Sequence, residues 1–173
     1  MRITISMVVK GYYLKLMKKT LFKECILFLL FGCFYITIEV FYRGYSHPLM
    51  FIVAGISAVI IDKFNNKISW DIPIWLQALW GTFVILVLEL LSGYFGLLVL
   101  NTRIWDYSQM PLSYCDGLIC VPFACIWYVL TVIMIILADV INYYMLHSHE
   151  RPYYVLKKYG KKYFLPSREC NWE

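Results

Sequence analysis

The chain has 173 residues, 61% of them hydrophobic and 16% charged, with a formal net charge of +5 and a mean hydropathy of +0.65. Soluble domains carry about 45–50% apolar residues, so this composition excludes an ordinary water-soluble domain. A soluble helical bundle would also need charged faces recurring every few residues, and the apolar runs here have none.

A membrane-spanning helix takes about 20 mostly apolar residues, and four segments meet that demand. The first runs from about Leu21 to Tyr42 and includes the unbroken "CILFLLFGCFYITI". The second, from about Pro48 to Ile61, is short and needs its flanks to reach across. The third starts near Pro73 and reaches Leu91, or Leu100 if it tilts or breaks at Gly93. The fourth runs from about Leu118 to Ala138 and can continue as an interfacial helix through Tyr144. Polar stretches rich in Asn, Asp, Pro and Gly separate them. The expected fold is all-α: a four-helix transmembrane bundle over residues 21–144, after a basic segment at 1–20 and before a basic tail at 145–173. The N-terminus does not read as a cleavable signal peptide, because its basic stretch is long and the run after it is long enough to span.

Lys and Arg counts predict the orientation. Six lie at or before the mouth of the first span, six follow the fourth, and Lys63 and Lys67 lie between the second and third. Arg43 and Arg103 alone occupy the other two loops. The fourteen-to-two split predicts a multi-pass protein of the cell membrane with both termini cytoplasmic.

On that topology, Glu39, Arg43, His47, Glu89, Arg103, Trp105 and Asp106 gather toward the outer face. A charge at mid-span costs about 2.5–3.5 kcal/mol, so it seeks a partner or a wet cavity. Glu39 and Arg43 are spaced i,i+4 and can pair on one helix. Glu89 shares a face with Gly93, and the Ser92/Gly96 and Ala54/Ala58 spacings suit close helix packing. The expectation is that Glu39 and Glu89 converge with Arg43 or Arg103 in a buried polar cluster open to the outside, either as a binding site or as a packing lock. In "NTRIWDYSQMP", Trp105 and Tyr107 are expected at the headgroup level, with Asp106 accepting from Arg103 or Arg43. Cys115 and Cys120 are close enough in sequence for a disulfide, although Cys120 begins a helix.

Three stretches, "IEVFYRGYSHPLMFIVAG", "LELLSGYFGLLVLNTRIWDYSQMPLSYCDGLIC" and the apolar run after them, resemble the bacterial family named putative ABC-transporter type IV, which also takes in some animal multi-pass proteins. The resemblance covers about Phe34 to Asp139. It rests on R-G-Y-S-H after span one, L-E-x-x-x-G in span three, W-D-Y-S and G-x-I-C. It implies a small multi-pass membrane protein with a transport-like role, and it places Glu39, Arg43, Glu89, Trp105 and Asp106 on the family's pattern.

The sequence carries no G-x-x-x-x-G-K-[ST], H-E-x-x-H, G-x-S-x-G or paired C-x-x-C. An ATPase would therefore be a separate subunit, and no cofactor or metal is expected. "HSHE", residues 147–150, is short of ligands for a metal site. The basic, aromatic tail is expected to lie on membrane lipids rather than on nucleic acid. The leading expectation is a permease-like or channel-like component, homo-oligomeric or partnered. A structural, sensory or accessory membrane protein is the second reading. A lipid-acting enzyme, the third, lacks a nucleophile–base pair or metal set.

Overall fold

A computed structural model of the protein describes residues 2–145, 151–157 and 160–168, with side chains from residue 17 onward. The "HSHE" stretch lies outside the described residues. Helix α1 spans Arg2–Arg43, α2 Pro48–Asn65, α3 Ile74–Leu98 and α4 Val121–Val140, the last continued by a π-helical turn over Ile141–Met145. Two hairpins complete the chain: β1 (Ser113–Tyr114) with β2 (Ile119–Cys120), and β3 (Tyr153–Val155) with β4 (Lys162–Phe164).

All four helices are long and apolar enough to cross a membrane, as hydrocarbon demands of a backbone that must satisfy its own hydrogen bonds. Differences from expectation lie at the ends. Helix α1 runs back through the basic segment to Arg2. Helix α3 passes Gly93 unbroken. The continuation of α4 is a π turn whose Ile141, Asn142 and Tyr143 are all buried, rather than an interfacial helix.

The bend between α1 and α2 follows directly from "RGYSHP". Gly44, at φ +81°, takes the left-handed conformation that closes a helix C-terminus. Nδ1 of His47 accepts the Leu49 N–H at 3.1 Å, capping α2, and Pro48 occupies the first helical position.

Helix α1 packs on α2, α2 on α3 and α3 on α4, while the backbones of α1 and α4 approach less closely. In lipid this packing rests on close fit more than on hydrophobic transfer. Phe28 and Phe51 interlock edge to face across α1 and α2, each seated over a glycine of the other helix, Gly55 and Gly32. Gly81 brings α3 against Thr131 of α4 and Ile61 of α2. Leu27, Ala58, Ile61, Ala78 and Ile135 fill one half of the bundle. Met50, Ile104, Trp105 and Leu118 fill the other.

A Cβ at position 81 would stand 2.5 Å from the Thr131 methyl. Gly81→Val is therefore expected to destabilise the bundle by about 1–3 kcal/mol, the usual cost of overpacking. Thermal unfolding of the purified variant in detergent checks it, and Gly44→Asn, at an open position that tolerates the left-handed backbone, should cost much less.

Candidate functional site

Toward the Arg43 end, α1 and α3 each carry one carboxylate into the bundle, and the two are satisfied differently. Glu39 is 9% exposed. Its Oε1 accepts from Arg43 and, at 3.2 Å, from the Tyr35 hydroxyl, while its Oε2 accepts from Ser46. Arg43 also donates to the Tyr45 carbonyl and lies over the Tyr45 ring. The i,i+4 pair is thus formed, with the R-G-Y-S bend folded back to complete it.

Glu89 is 2% exposed and has no cation at ion-pair distance among the described residues. It accepts from the Tyr107 hydroxyl at 3.3 Å and from the Trp127 indole N–H at 3.2 Å. Burial, then the charge of Glu89, pushes the Tyr107 phenol above its ordinary pKa, which keeps it a donor. The two carboxylates are linked by aromatics: the Tyr35 ring that serves Glu39 lies 5.5 Å from the Trp127 ring that serves Glu89.

Arg103 and Asp106 stay outside this cluster. They pair with each other at 2.9 Å on the loop surface, and Arg103 donates to the Asp116 carbonyl. The Ser108 hydrogen bonds, with Arg103 beside them, hold the Asp106 carboxyl below the usual carboxylate value. His47 is the α2 cap and faces neither carboxylate as a partner.

Trp105 differs most from expectation. It is 4% exposed, packed inside the protein rather than presented to lipid headgroups, with its N–H on the Leu118 carbonyl at 2.9 Å. Gly93 makes room for it, and Gly96 for the neighbouring Ile104. A Cβ at Gly93 would meet Leu118 and Trp105, and one at Gly96 would meet Ile104 and the Thr102 carbonyl. The small residues of α3 therefore receive the 99–120 loop, where the spacing predicted a partner helix. That loop closes over the bundle through the β1–β2 hairpin, whose turn holds Cys115, Asp116 and Gly117 all at positive φ. Cys115 and Cys120 are free thiols, the first at the surface and the second buried.

Below the carboxylates, a groove runs between α1 and α4 with α2 and α3 as its floor. Glu89, Tyr35 and Trp127 line it toward the Arg43 end, and Phe31, Ser57 and Met134 toward mid-bundle. Its enclosed volume is about 80 Å³. That is room for several waters or part of a larger molecule, against about 300–1,000 Å³ for a site that engulfs a drug-sized ligand. Ser57 and Thr131 donate to carbonyls of their own helices at 2.7 Å, so the walls between the two ends present little free polarity.

Sequence reasoning missed a second polar cluster, at the Lys23 end. Lys23 pairs with Asp62 at 2.7 Å, and Asn142, from the π turn, donates to Asp62 at 3.0 Å. Asp139 accepts from Tyr154 of β3 at 3.0 Å. Burial, then Asp139, pushes the Tyr154 phenol above its ordinary pKa. Asp62 and Asp139 are 4% and 2% exposed. The tail hairpin is clipped to the α2–α3 loop by Tyr153 and Lys162 on Asp71, and to the first turn of α3 by Trp75 on the Leu156 carbonyl. Carboxylates at the ends of apolar runs were the available signal, but their partners lie up to 80 residues away, beyond any helical spacing.

Removing one member of a buried ion pair costs about 3–5 kcal/mol, whereas replacing both is often near neutral. Arg43→Ala should therefore lower stability by about 3 kcal/mol, and the double variant Glu39→Gln/Arg43→Met should recover most of that loss. Arg103→Ala, breaking an exposed pair, should cost about 1 kcal/mol or less. Melting temperatures of the three variants in one detergent check this ordering.

Comparison with curated proteins and with solved structures finds no match for the chain. The family described as Putative ABC-transporter type IV matches residues 8–158, all four spans together with the groove, both polar clusters and part of the tail hairpin. This four-span membrane protein belongs to that family.

Proposed function

We propose that the chain is a permease-like, transport-associated membrane component that has no ATPase of its own. The observation that carries this reading is the groove between α1 and α4, apolar along its length and ending at the buried carboxyl of Glu89. A carboxyl inside a membrane segment is costly and tends to mark a path for ions or substrates. The groove lies between α1 and α4, whose backbones approach less closely than those of the packed helix pairs, and a solute would reach it from the lipid between them. The family described as Putative ABC-transporter type IV supports the same role. With no nucleotide-binding loop in the sequence, energy coupling would come from a separate ATPase subunit, and a continuous path would need further copies of the chain or a partner.

In the cell membrane the Lys23 end would face the cytoplasm with both termini, following the fourteen-to-two split of Lys and Arg. Glu89 would then be approached from the outer leaflet.

The size of the groove favours a second reading. At about 80 Å³ it is no continuous channel, and Glu39 has its full set of donors. A non-transporting sensory or accessory protein would need only the packed bundle and one small site.

Two measurements test these statements. On intact cells expressing the protein, a membrane-impermeant maleimide should label the exposed native Cys115, and Cys115→Ser should abolish the signal. Lys67→Cys should label only after permeabilisation, and the reverse pattern would overturn the orientation. In proteoliposomes, alone or with a candidate ATPase, the wild type should pass a small organic solute at least tenfold faster than Glu89→Gln. Equal rates, or no flux over empty vesicles, would leave the accessory reading.

A further inference from the structure

The groove and its carboxyl specify the chemistry of an occupant. Glu89 is 2% exposed and held by neutral donors, one hydroxyl and one indole N–H. Every other buried carboxylate at this end of the bundle has a cation: Glu39 has Arg43. A desolvated carboxyl with only neutral donors is satisfied by a proton or, in exchange for that proton, by a cation, which low dielectric attracts strongly.

The neighbours of Glu89 fit that demand. The Tyr35 and Trp127 rings line the groove beside it, 5.5 Å apart. Aromatic faces attract organic cations by about 0.5–2 kcal/mol, more strongly when water is excluded. Beyond the rings the wall is apolar, and its two hydroxyls are turned back onto their own helices. The lined length of α1, from Phe31 to Ile38, corresponds to about 10 Å at 1.5 Å per residue. The lining along that length is apolar. It suits a single alkyl chain better than a bulky ring system or a two-chain lipid.

We propose that the α1–α4 groove binds a single-chain amphiphile with a monovalent cationic head, the head resting beside Glu89 and the Tyr35 and Trp127 rings and the chain lying along the groove toward Phe31 and Met134. This rests on the groove being the place where a membrane-dissolved molecule meets the protein, and it names the class of that molecule. Charge complementarity selects the head. The apolar lining toward Phe31 and Met134 receives the chain.

The test uses the full chain in nanodiscs of zwitterionic lipid and radiolabelled decyltrimethylammonium as probe. Saturable binding above that of empty nanodiscs is expected, reduced at least tenfold in Glu89→Gln and unchanged in Glu24→Gln, which alters a carboxylate at the opposite end. Decanol, the same chain with a neutral head, should compete at least tenfold less well than unlabelled probe. A second measurement needs no variant at the site. A hydrophobic carbodiimide should modify Glu89 in the wild type, as located by mass spectrometry, and decyltrimethylammonium but not decanol should protect it. Absence of saturable binding, equal competition by decanol, or no protection of Glu89 would overturn the inference. Saturable binding without flux in proteoliposomes would retire the permease reading and leave this site standing, so the two fail separately.

Discussion

A carboxylate inside hydrocarbon has no water to stabilise it, and the helices bury four of their five: Glu39, Asp62, Glu89 and Asp139, each between 2% and 9% exposed. The rest of the structure follows from how each is satisfied. Glu39 and Asp62 receive cations, Arg43 from the next turn and Lys23 from the neighbouring helix. Glu89 and Asp139 receive neutral donors from segments outside the spans, Tyr107 and Tyr154, with Trp127 assisting the first. The two charged pairs bind the helices to themselves and to one another. The two neutral sets bind the extramembrane segments to the helices.

That division explains the form of the Arg43 end. To bring Tyr107 onto Glu89, the 99–120 loop must descend onto α3, and the glycines at 93 and 96 supply the space. Trp105 and Leu118 then fill it, and Tyr107 stacks on Phe123 of α4 at 4.6 Å. With the loop occupying that face of α3, α1 meets α4 through rings such as Tyr35–Trp127 and Tyr42–Phe123 at this end. The groove is the space left between those ring contacts and the floor of the bundle. Its position beneath a carboxyl without a cation is thus a consequence of how the loop is seated.

What could be read from the amino-acid order was whatever depends on a fixed local period. Four apolar runs of spanning length become four helices, the Glu39–Arg43 spacing becomes an ion pair, and "RGYSHP" becomes a helix end, a bend and a capped start. The partners of Glu89 were not legible, because Tyr107 and Trp127 lie 18 and 38 residues away and no periodicity connects them. Trp105 was read by its residue type as a headgroup anchor. Tertiary context buried it, since Gly93 leaves room on α3 for its ring beside Leu118. Lys23 and Lys63 were counted for orientation alone, yet they neutralise Asp62 and Glu24. The same positive charge serves insertion and packing, and only the second use requires knowing which helices are neighbours.

The two neutral latches have a physical consequence that the two ion pairs do not. An ion pair between helices holds best when both members stay charged, so it fixes one arrangement. A phenol donating to a lone carboxyl bonds most strongly to the ionised form, and its bond weakens when that carboxyl gains a proton or a cation settles against it. The segments so held are the closing loop at one end and the tail hairpin at the other, each fastened also at its own surface by Arg103–Asp106 and by Lys162–Asp71. Surface pairs of that kind contribute about 1 kcal/mol or less, whereas a buried charge-assisted hydrogen bond contributes about 1.5–3 kcal/mol. Each extramembrane segment is thus held in part by a carboxyl inside the bundle, the closing loop also by the packing of Trp105 and Leu118, and the charge state of Glu89 acts on the same loop that closes over the groove.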